Sequence, residues 1–143
     1  MRFFFYGTLL DGSDNPVAQW VHGKLRAVGP ATCRGTLHAI PDPRGWYPAL
    51  LSGDGIVQGR LYASRNGFAP ADLARLDAYE DFDPADPAGS LYLREDIATS
   101  SGDAQAYRFN RPLPDGARLI PGGDFRGWLA SEGLQSFGGE HGG

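Results

Sequence analysis

Glycine, proline and aspartate interrupt this chain so often that its apolar stretches are cut to lengths that suit strands better than long helices. The aromatic run RFFFY, residues 2 to 6, breaks at Gly7 and reads as a first strand. After the loop LLDGSDNP comes a short helix candidate, VAQWVHG. TCRGTLHAI, YPALLS and IVQGRLYAS then read as three strands separated by turns. A helix starts at Pro70 and runs to about Glu80, where proline's fixed φ and missing N–H favour a first turn. DPADPAGS is too rich in Pro and Asp to be regular, and LYLREDIAT and AQAYRFN form a hairpin across SSGD. RLIPGGDFRGWLASEG is a turn into a short helix capped by Asp124, and the glycine-rich SFGGEHGG after it is expected to fray. About six short strands against three short helices, mostly in antiparallel reach of their neighbours, predict an α+β fold: a small mixed β-barrel with peripheral short helices. A doubly wound sheet would alternate strand and helix throughout. One domain is expected over residues 1–132, with 133–143 as a flexible glycine-rich tail.

Composition narrows the function classes. The chain of 143 residues is long enough for one domain that buries roughly two thirds of its unfolded surface. A net charge of −4 without basic runs argues against a nucleic-acid partner. No run of 18 apolar residues is present to cross a membrane, and MRFFFYGTLL is short for a leader, lacks a small-residue cleavage site and soon meets Asp11. Lys24 is the single lysine and stands near no glycine-rich loop, so a Walker-type phosphate site is excluded. The single cysteine, Cys33, cannot form an internal disulfide and is compatible with the cytoplasm, and a monomer is the default expectation.

Three apparent motifs have plain structural explanations. GGDF at 122 to 125 matches part of a cyclic-dinucleotide synthase signature, but the following glutamate is missing, and a turn with an Asp N-cap accounts for it. Cys33 and His38 would face opposite sides of one strand, so Cys33 is expected as a small buried hydrophobe and not as a nucleophile. His22, His38 and His141 lack metal-ligand spacing, and no metal site is expected.

Two features remain. In FYGTLL, a strand ending in glycine lets the backbone turn sharply, and the N–H groups beyond it can point at an anion. In LARLDAYEDFD, residues 73 to 83, a projection at about 100° per residue with Leu73 at zero puts Leu76 at about 300° and Glu80 at about 340°. Glu80 thus falls inside the apolar stripe. It could form a salt bridge, with Arg94 as a candidate, or be exposed at the helix end. The helix C-terminus, the like charges of Asp77, Asp81 and Asp83, and apolar surroundings would all raise its pKa, as a general acid–base carboxyl requires.

YGTL (6 to 9), YP (47 to 48), VQGRLY (57 to 62), LDAYE (76 to 80), LYLR (91 to 94) and GGDFRGWL (122 to 129) occur in the order and spacing of the γ-glutamylcyclotransferase-like, or AIG2-like, family. The resemblance spans Arg2 to Leu129 and is nearest to the γ-glutamylamine cyclotransferases and their bacterial relatives. It implies a small β-barrel, no cofactor, and a small-molecule γ-glutamyl substrate. By the same resemblance Tyr6, Gly7, Thr8 and Leu9 hold the γ-glutamyl part, Glu80 is the catalytic proton acceptor, and Tyr92 shapes the pocket. The stretch LDGSDNP lacks the basic residue that some relatives place after YGTL, and Asp81 stands where many have glycine.

The activity implied is intramolecular aminolysis, in which the substrate's own α-amine attacks its γ-carbonyl to give 5-oxoproline and a free amine. The alternative is a non-catalytic ligand-binding module on the same fold. An inward carboxylate beside an anion site favours the enzyme, because a module that only bound an acid would be repelled by it.

Overall fold

The computed structural model describes residues 1–138 and 141–143. Strand β1 (Arg2–Phe5) is followed by helix α1 (Pro16–His22), strands β2 (Leu25–Asp42) and β3 (Gly45–Ser64), and helix α2 (Pro70–Tyr79). After a 3₁₀ turn at Pro87–Gly89 come β4 (Tyr92–Thr99), β5 (Gly102–Phe109), the short β6 (Arg118–Leu119) and helix α3 (Phe125–Glu132). The strands run β3-β1-β5-β4-β2-β6, and a further β2–β3 pairing closes β1 to β5 into a barrel. β1 and β5 are parallel while the other pairs are antiparallel, so the barrel is mixed. Among the described residues no helix is long and apolar enough to cross a membrane.

β1 is buried on both faces, as closure around a core demands. Phe3 and Phe5 pack with α1 and α2 through Val21, Leu76 and Tyr79. Phe4 and Tyr6, which alternate to the other face, join Cys33, Leu37, Val57 and the α3 residues Phe125 and Trp128. Cys33 is one of these packing residues, and burial pushes its thiol up to about 11.

The three strand candidates between residues 32 and 64 are corrected to two long strands. Residues 25 to 31 also belong to β2, and YPALLS and IVQGRLYAS are one strand, β3, continuous through Gly53-Asp54-Gly55. Glycine in these places marks bends and not breaks. The β2–β3 register shifts between Ala27 and Gly29 and again between Arg34 and Thr36, and such bulges let long strands curl round a barrel. The 4–5 hairpin is as expected, with Thr99 opposite Gly102 across Ser100 and Ser101. Asp124 caps α3 by accepting the Gly127 N–H at 3.1 Å, which is what GGDF contributes here.

The chain beyond α3 packs against the barrel where it is described. Trp46 N–H donates to the Gln135 carbonyl at 2.9 Å, Phe137 is buried, and residues 141–143 lie against the end of β1. Gly139 and Glu140, part of the segment expected to fray, lie outside the described residues.

Candidate active site

β1 delivers Tyr6 to the barrel core, where its hydroxyl donates to the Tyr107 carbonyl at 2.5 Å. The chain then passes Gly7 so closely to its neighbours that a Cβ there would lie 2.3 Å from Pro48 Cγ and 2.4 Å from the Gly142 carbonyl oxygen. Glycine is required by contact. Around this turn the N–H groups of Tyr6 and Gly7 both donate to the Gly143 carbonyl, at 3.0 and 2.8 Å, and Thr8 N–H, just beyond the glycine, donates to the Gly142 carbonyl at 2.8 Å. These three successive donors form a cradle of converging amides, set at Tyr6, Gly7 and Thr8 where FYGTLL was expected to place donors only beyond the glycine. Thr8 is buried, with Oγ1 donating to the His141 carbonyl at 2.9 Å and lying 2.6 Å from the Tyr79 hydroxyl. Leu9 is different. Its side chain lies in the core and its carbonyl is 2.6 Å from His22 Nε2, so the structure places it as packing beneath the loop.

α2 starts at Pro70 as expected, with the Asp72 carboxylate accepting the Ala69 N–H at 2.8 Å. The helix buries Leu76, Asp77 and Tyr79 and ends at Glu80, its C-cap, which is fully buried. Glu80 Oε2 accepts the Gly142 N–H at 2.9 Å, and Oε1 is buried without a hydrogen-bond partner among the described residues. Burial raises the carboxyl to about 8, the nearby amides of Gly142 and Gly143 oppose this, and the charge of Asp77 adds to it. Of the three aspartates expected to contribute, Asp81 and Asp83 are exposed and Asp77 acts.

Arg94 does not pair with Glu80. Its Nε and Nη2 reach Asp77 at 2.8 and 3.3 Å, and the Tyr107 hydroxyl donates to the same carboxylate at 2.6 Å. Asp81, next to Glu80, takes φ 53°, a left-handed backbone that glycine adopts without cost and aspartate tolerates better than most residues. This explains why a glycine would serve at that position.

Tyr92 is fully buried and donates to the Pro48 carbonyl at 2.6 Å, holding the residue against which Gly7 packs. Burial, then the charge of Glu80, keeps the Tyr6 and Tyr79 phenols well above their ordinary range, and burial does the same for Tyr92. All three are neutral hydroxyls.

Neither Tyr79 nor Asn15 stands out in the sequence as a site residue. Tyr79 joins Thr8 to Asn15, whose Nδ2 donates to the Tyr79 hydroxyl at 3.0 Å while its Oδ1 caps α1 through the Val17 N–H at 2.8 Å. The Asn-Pro step ahead of α1 was the available signal, since asparagine before a helix-starting proline reads as a cap. Beyond Thr8 opens a cavity of about 560 Å³ lined in part by Asn15, Arg126, Gln135 and Phe137. The 12–16 loop borders it, whereas Asp83 and Pro84 line a separate groove along α2.

Comparisons with known proteins bear on the fold and the family. The family model for gamma-glutamyl cyclotransferase, AIG2-like, matches residues 3–127. The gamma-glutamylcyclotransferase family protein YtfP of Escherichia coli K12 is 33% identical over 129 residues, covering 90% of this chain and 96% of the relative. The solution structure of Escherichia coli ytfP superposes with a TM-score of 0.60 at 30% identity, covering 92% of this chain and 99% of that one. An AIG2-like protein from Mus musculus shares the fold at 18% identity with a TM-score of 0.52, covering 80% and 79% of the two chains. A closed mixed barrel, a glycine-turned amide row and a buried glutamate at the end of α2 all fall within the matched span, and the chain belongs to the gamma-glutamyl cyclotransferase, AIG2-like family.

Proposed function

We propose that this protein is a γ-glutamyl cyclotransferase that converts a γ-glutamyl amine or γ-glutamyl amino acid into 5-oxoproline and a free amine. One residue carries the proposal. Gly142 gives its N–H to Glu80 Oε2 at 2.9 Å and its carbonyl to the Thr8 N–H at 2.8 Å, so the main chain of a single residue spans the acid and the amide row. An α-amino acid has the same N–Cα–C=O unit. A γ-glutamyl substrate seated there puts its α-amine against Glu80 and its α-carboxylate against the N–H groups of Gly7 and Thr8.

From that pose the chemistry needs little more than shape and a proton carrier. The α-amine nitrogen attacks the γ-carbonyl carbon, a C–N bond forms to close the five-membered lactam, and the C–N bond to the leaving amine breaks. Nucleophile and electrophile are tethered, so the chain's main task is to fold the arm into the attacking geometry. Glu80 takes the proton from the ammonium and returns it to the departing nitrogen, as base and then acid. A carboxyl raised to about 8 is matched to both steps near neutral pH. The neutral hydroxyls of Thr8 and Tyr79 line the amide row, and the 560 Å³ cavity beyond Thr8 offers room for the leaving amine.

The test is to incubate the purified protein with a panel of γ-glutamyl amines and γ-glutamyl amino acids and to assay 5-oxoproline. Release from at least one member is expected, with Glu80→Gln slower by about 10²- to 10⁴-fold, the usual contribution of a general acid–base group. Near-parent release by Glu80→Gln would remove Glu80 as the proton carrier. No 5-oxoproline from any substrate would favour the binding module, and free glutamate in its place would mark hydrolysis by water.

A further inference from the structure

The same site holds part of the protein's own chain. His141, Gly142 and Gly143 reach the end of β1, and between them their carbonyls accept from the three amides of the cradle and from the Thr8 hydroxyl. The Tyr79 hydroxyl lies 3.1 Å from the His141 carbonyl, and Glu80 accepts the Gly142 N–H. The His141 ring sits edge-on to Tyr47, with centroids 4.3 Å apart, and stacks on Phe137 at 4.7 Å. The three amides, the Thr8 and Tyr79 hydroxyls and one oxygen of Glu80 are thus engaged by main-chain atoms of residues 141–143, while Glu80 Oε1 has no hydrogen-bond partner among the described residues.

The seat accepts these residues because two of them are glycines. Gly142 takes φ 115° with Thr8 Cγ2 at 3.0 Å and Pro48 Cδ at 3.2 Å from where a Cβ would stand. A Cβ on Gly143 would lie 2.3 Å from the Tyr6 ring. A side chain at either position would meet the walls of the site, and the φ of both residues, 115° and 49°, is one that glycine adopts freely. Composition and seat match: the segment fits as bare backbone, presenting an acceptor to the cradle and a donor to Glu80, the same polarity an α-amino-acid head presents.

We infer that residues 141–143 are an internal competitor for the α-amino-acid head of the substrate, so that ligand binds as this segment leaves. The inference rests on the γ-glutamyl reading of the site. It makes the resting protein self-occupied, and it makes apparent affinity depend on the fraction of molecules whose seat is open. It also gives Phe137 and the Trp46–Gln135 main-chain bond a function as the anchor from which the segment swings, since both lie on the near side of the competing residues.

The experiment compares the full chain with a chain ending at Gly138, which keeps Phe137 and the Trp46 contact, and with Gly142→Val, which keeps the length and blocks the seat. Binding of 5-oxoproline, which has an N–H and a carboxylate on one carbon and is not turned over, is measured by calorimetry. Amide hydrogen exchange at Tyr6, Gly7 and Thr8 is followed by NMR. Both altered chains are expected to bind 5-oxoproline about tenfold more tightly or better, the factor for a seat open about a tenth of the time. In the absence of ligand, both are expected to exchange the Tyr6 to Thr8 amides faster than the full chain. Equal affinity and equal exchange in all three chains, with 5-oxoproline still formed from γ-glutamyl amines, would overturn the competition and leave the enzymatic reading intact. Faster exchange in the altered chains with no binding by any of them, and no turnover, would overturn the γ-glutamyl reading and the competition with it.

Discussion

Arg94 Nε donates to Asp77 Oδ1 at 2.8 Å, and by taking this guanidinium Asp77 leaves Glu80, three residues further along the chain, without it. The pairing separates two acids that the sequence sets side by side on one helix face. Asp77 has its charge paired by a guanidinium fork and a phenol, while Glu80 is raised by burial and kept able to carry a proton. Arg94→Met should therefore act twice. It strips the partner from a buried carboxylate, which costs about 3–5 kcal/mol for a fully buried pair; because the Arg94 side chain is 18% exposed, the lower end of that range is expected, read as a drop in the urea midpoint. It also leaves the Asp77 charge uncompensated beside Glu80, so the acid limb of any activity profile should move to higher pH. Arg94→Lys restores the charge without the fork and should recover part of both effects.

Glu80 should also show itself in stability. Its carboxyl is held at about 8 in the folded chain against an ordinary 4.5. A group raised on folding contributes stability that is complete below its unfolded value and is lost as pH rises through the folded one. Wild type should accordingly weaken relative to Glu80→Gln between about pH 4.5 and 8, at up to about 1.4 kcal/mol per pH unit. Below and above that window the difference should be flat. Denaturant titrations of the two proteins at pH 5, 6.5, 8 and 9 measure it, and a difference independent of pH would mean that Glu80 is not held protonated by its surroundings.

Much of this site could be read from the sequence, and the remainder was lost for identifiable reasons. Helical periodicity put Glu80 on the inward face because a ten-residue helix with a proline start has a fixed phase. The same projection puts Asp77 at about 40° from Leu73, inside the stripe, but a second inward acid has meaning only with its partners. Those lie on β4 and β5, far along the chain. The turn glycine Gly7 was legible as a break, though not the Pro48 ring that makes it obligatory. The closed barrel followed from the count and spacing of strands, while the fusion of YPALLS with IVQGRLYAS did not, because a glycine that bends a strand and one that ends it look alike in sequence. Periodicity is silent in SFGGEHGG. What seats Gly142 is Thr8 and Glu80, from the opposite end and the middle of the chain.

The activity profile should follow the same carboxyl. As the base, Glu80 must be ionised in the free protein, so kcat/KM for a γ-glutamyl amine should climb about tenfold per pH unit on the acid side and level near pH 8. A midpoint near the ordinary carboxylate value would mean that the proton is carried by another group.

Tyr92→Phe tests the wall behind the cradle. The Tyr92 hydroxyl donates to the Pro48 carbonyl at 2.6 Å in a fully buried setting. Removing the donor leaves a buried carbonyl unpaired, at a cost of about 1–3 kcal/mol in stability. Because Pro48 is what Gly7 packs against, the substrate KM should rise along with the loss of stability. A fall in thermal stability with unchanged KM would make Tyr92 a structural residue only.

Gly7→Ala is the sharpest single change. The added methyl would stand 2.3 Å from Pro48 Cγ and 2.4 Å from the Gly142 carbonyl oxygen, and relieving an overpacked contact of this kind typically costs about 1–3 kcal/mol. Two routes of relief exist, and they have opposite signatures. If residues 141–143 give way, the cradle opens and 5-oxoproline should bind more tightly than to wild type. If instead the Tyr6 to Thr8 backbone turns away, its three donors lose their common aim and affinity should fall by about tenfold or more, the fold-change equivalent of about 1.4 kcal/mol. The ring of Pro48 is held by the Tyr92 hydrogen bond to its own carbonyl and by its place in β3, so it cannot retreat. Gly142, which is fixed to the cradle only by hydrogen bonds, can. The methyl nonetheless remains against Pro48 after the segment has left, and that contact alone is closer than Cβ atoms tolerate. Backbone displacement is therefore the expected outcome: weaker 5-oxoproline binding in Gly7→Ala, and no recovery when Gly7→Ala is combined with a chain ending at Gly138. Calorimetry on the single and combined variants decides it, and recovery in the combined variant would assign the clash to Gly142 alone.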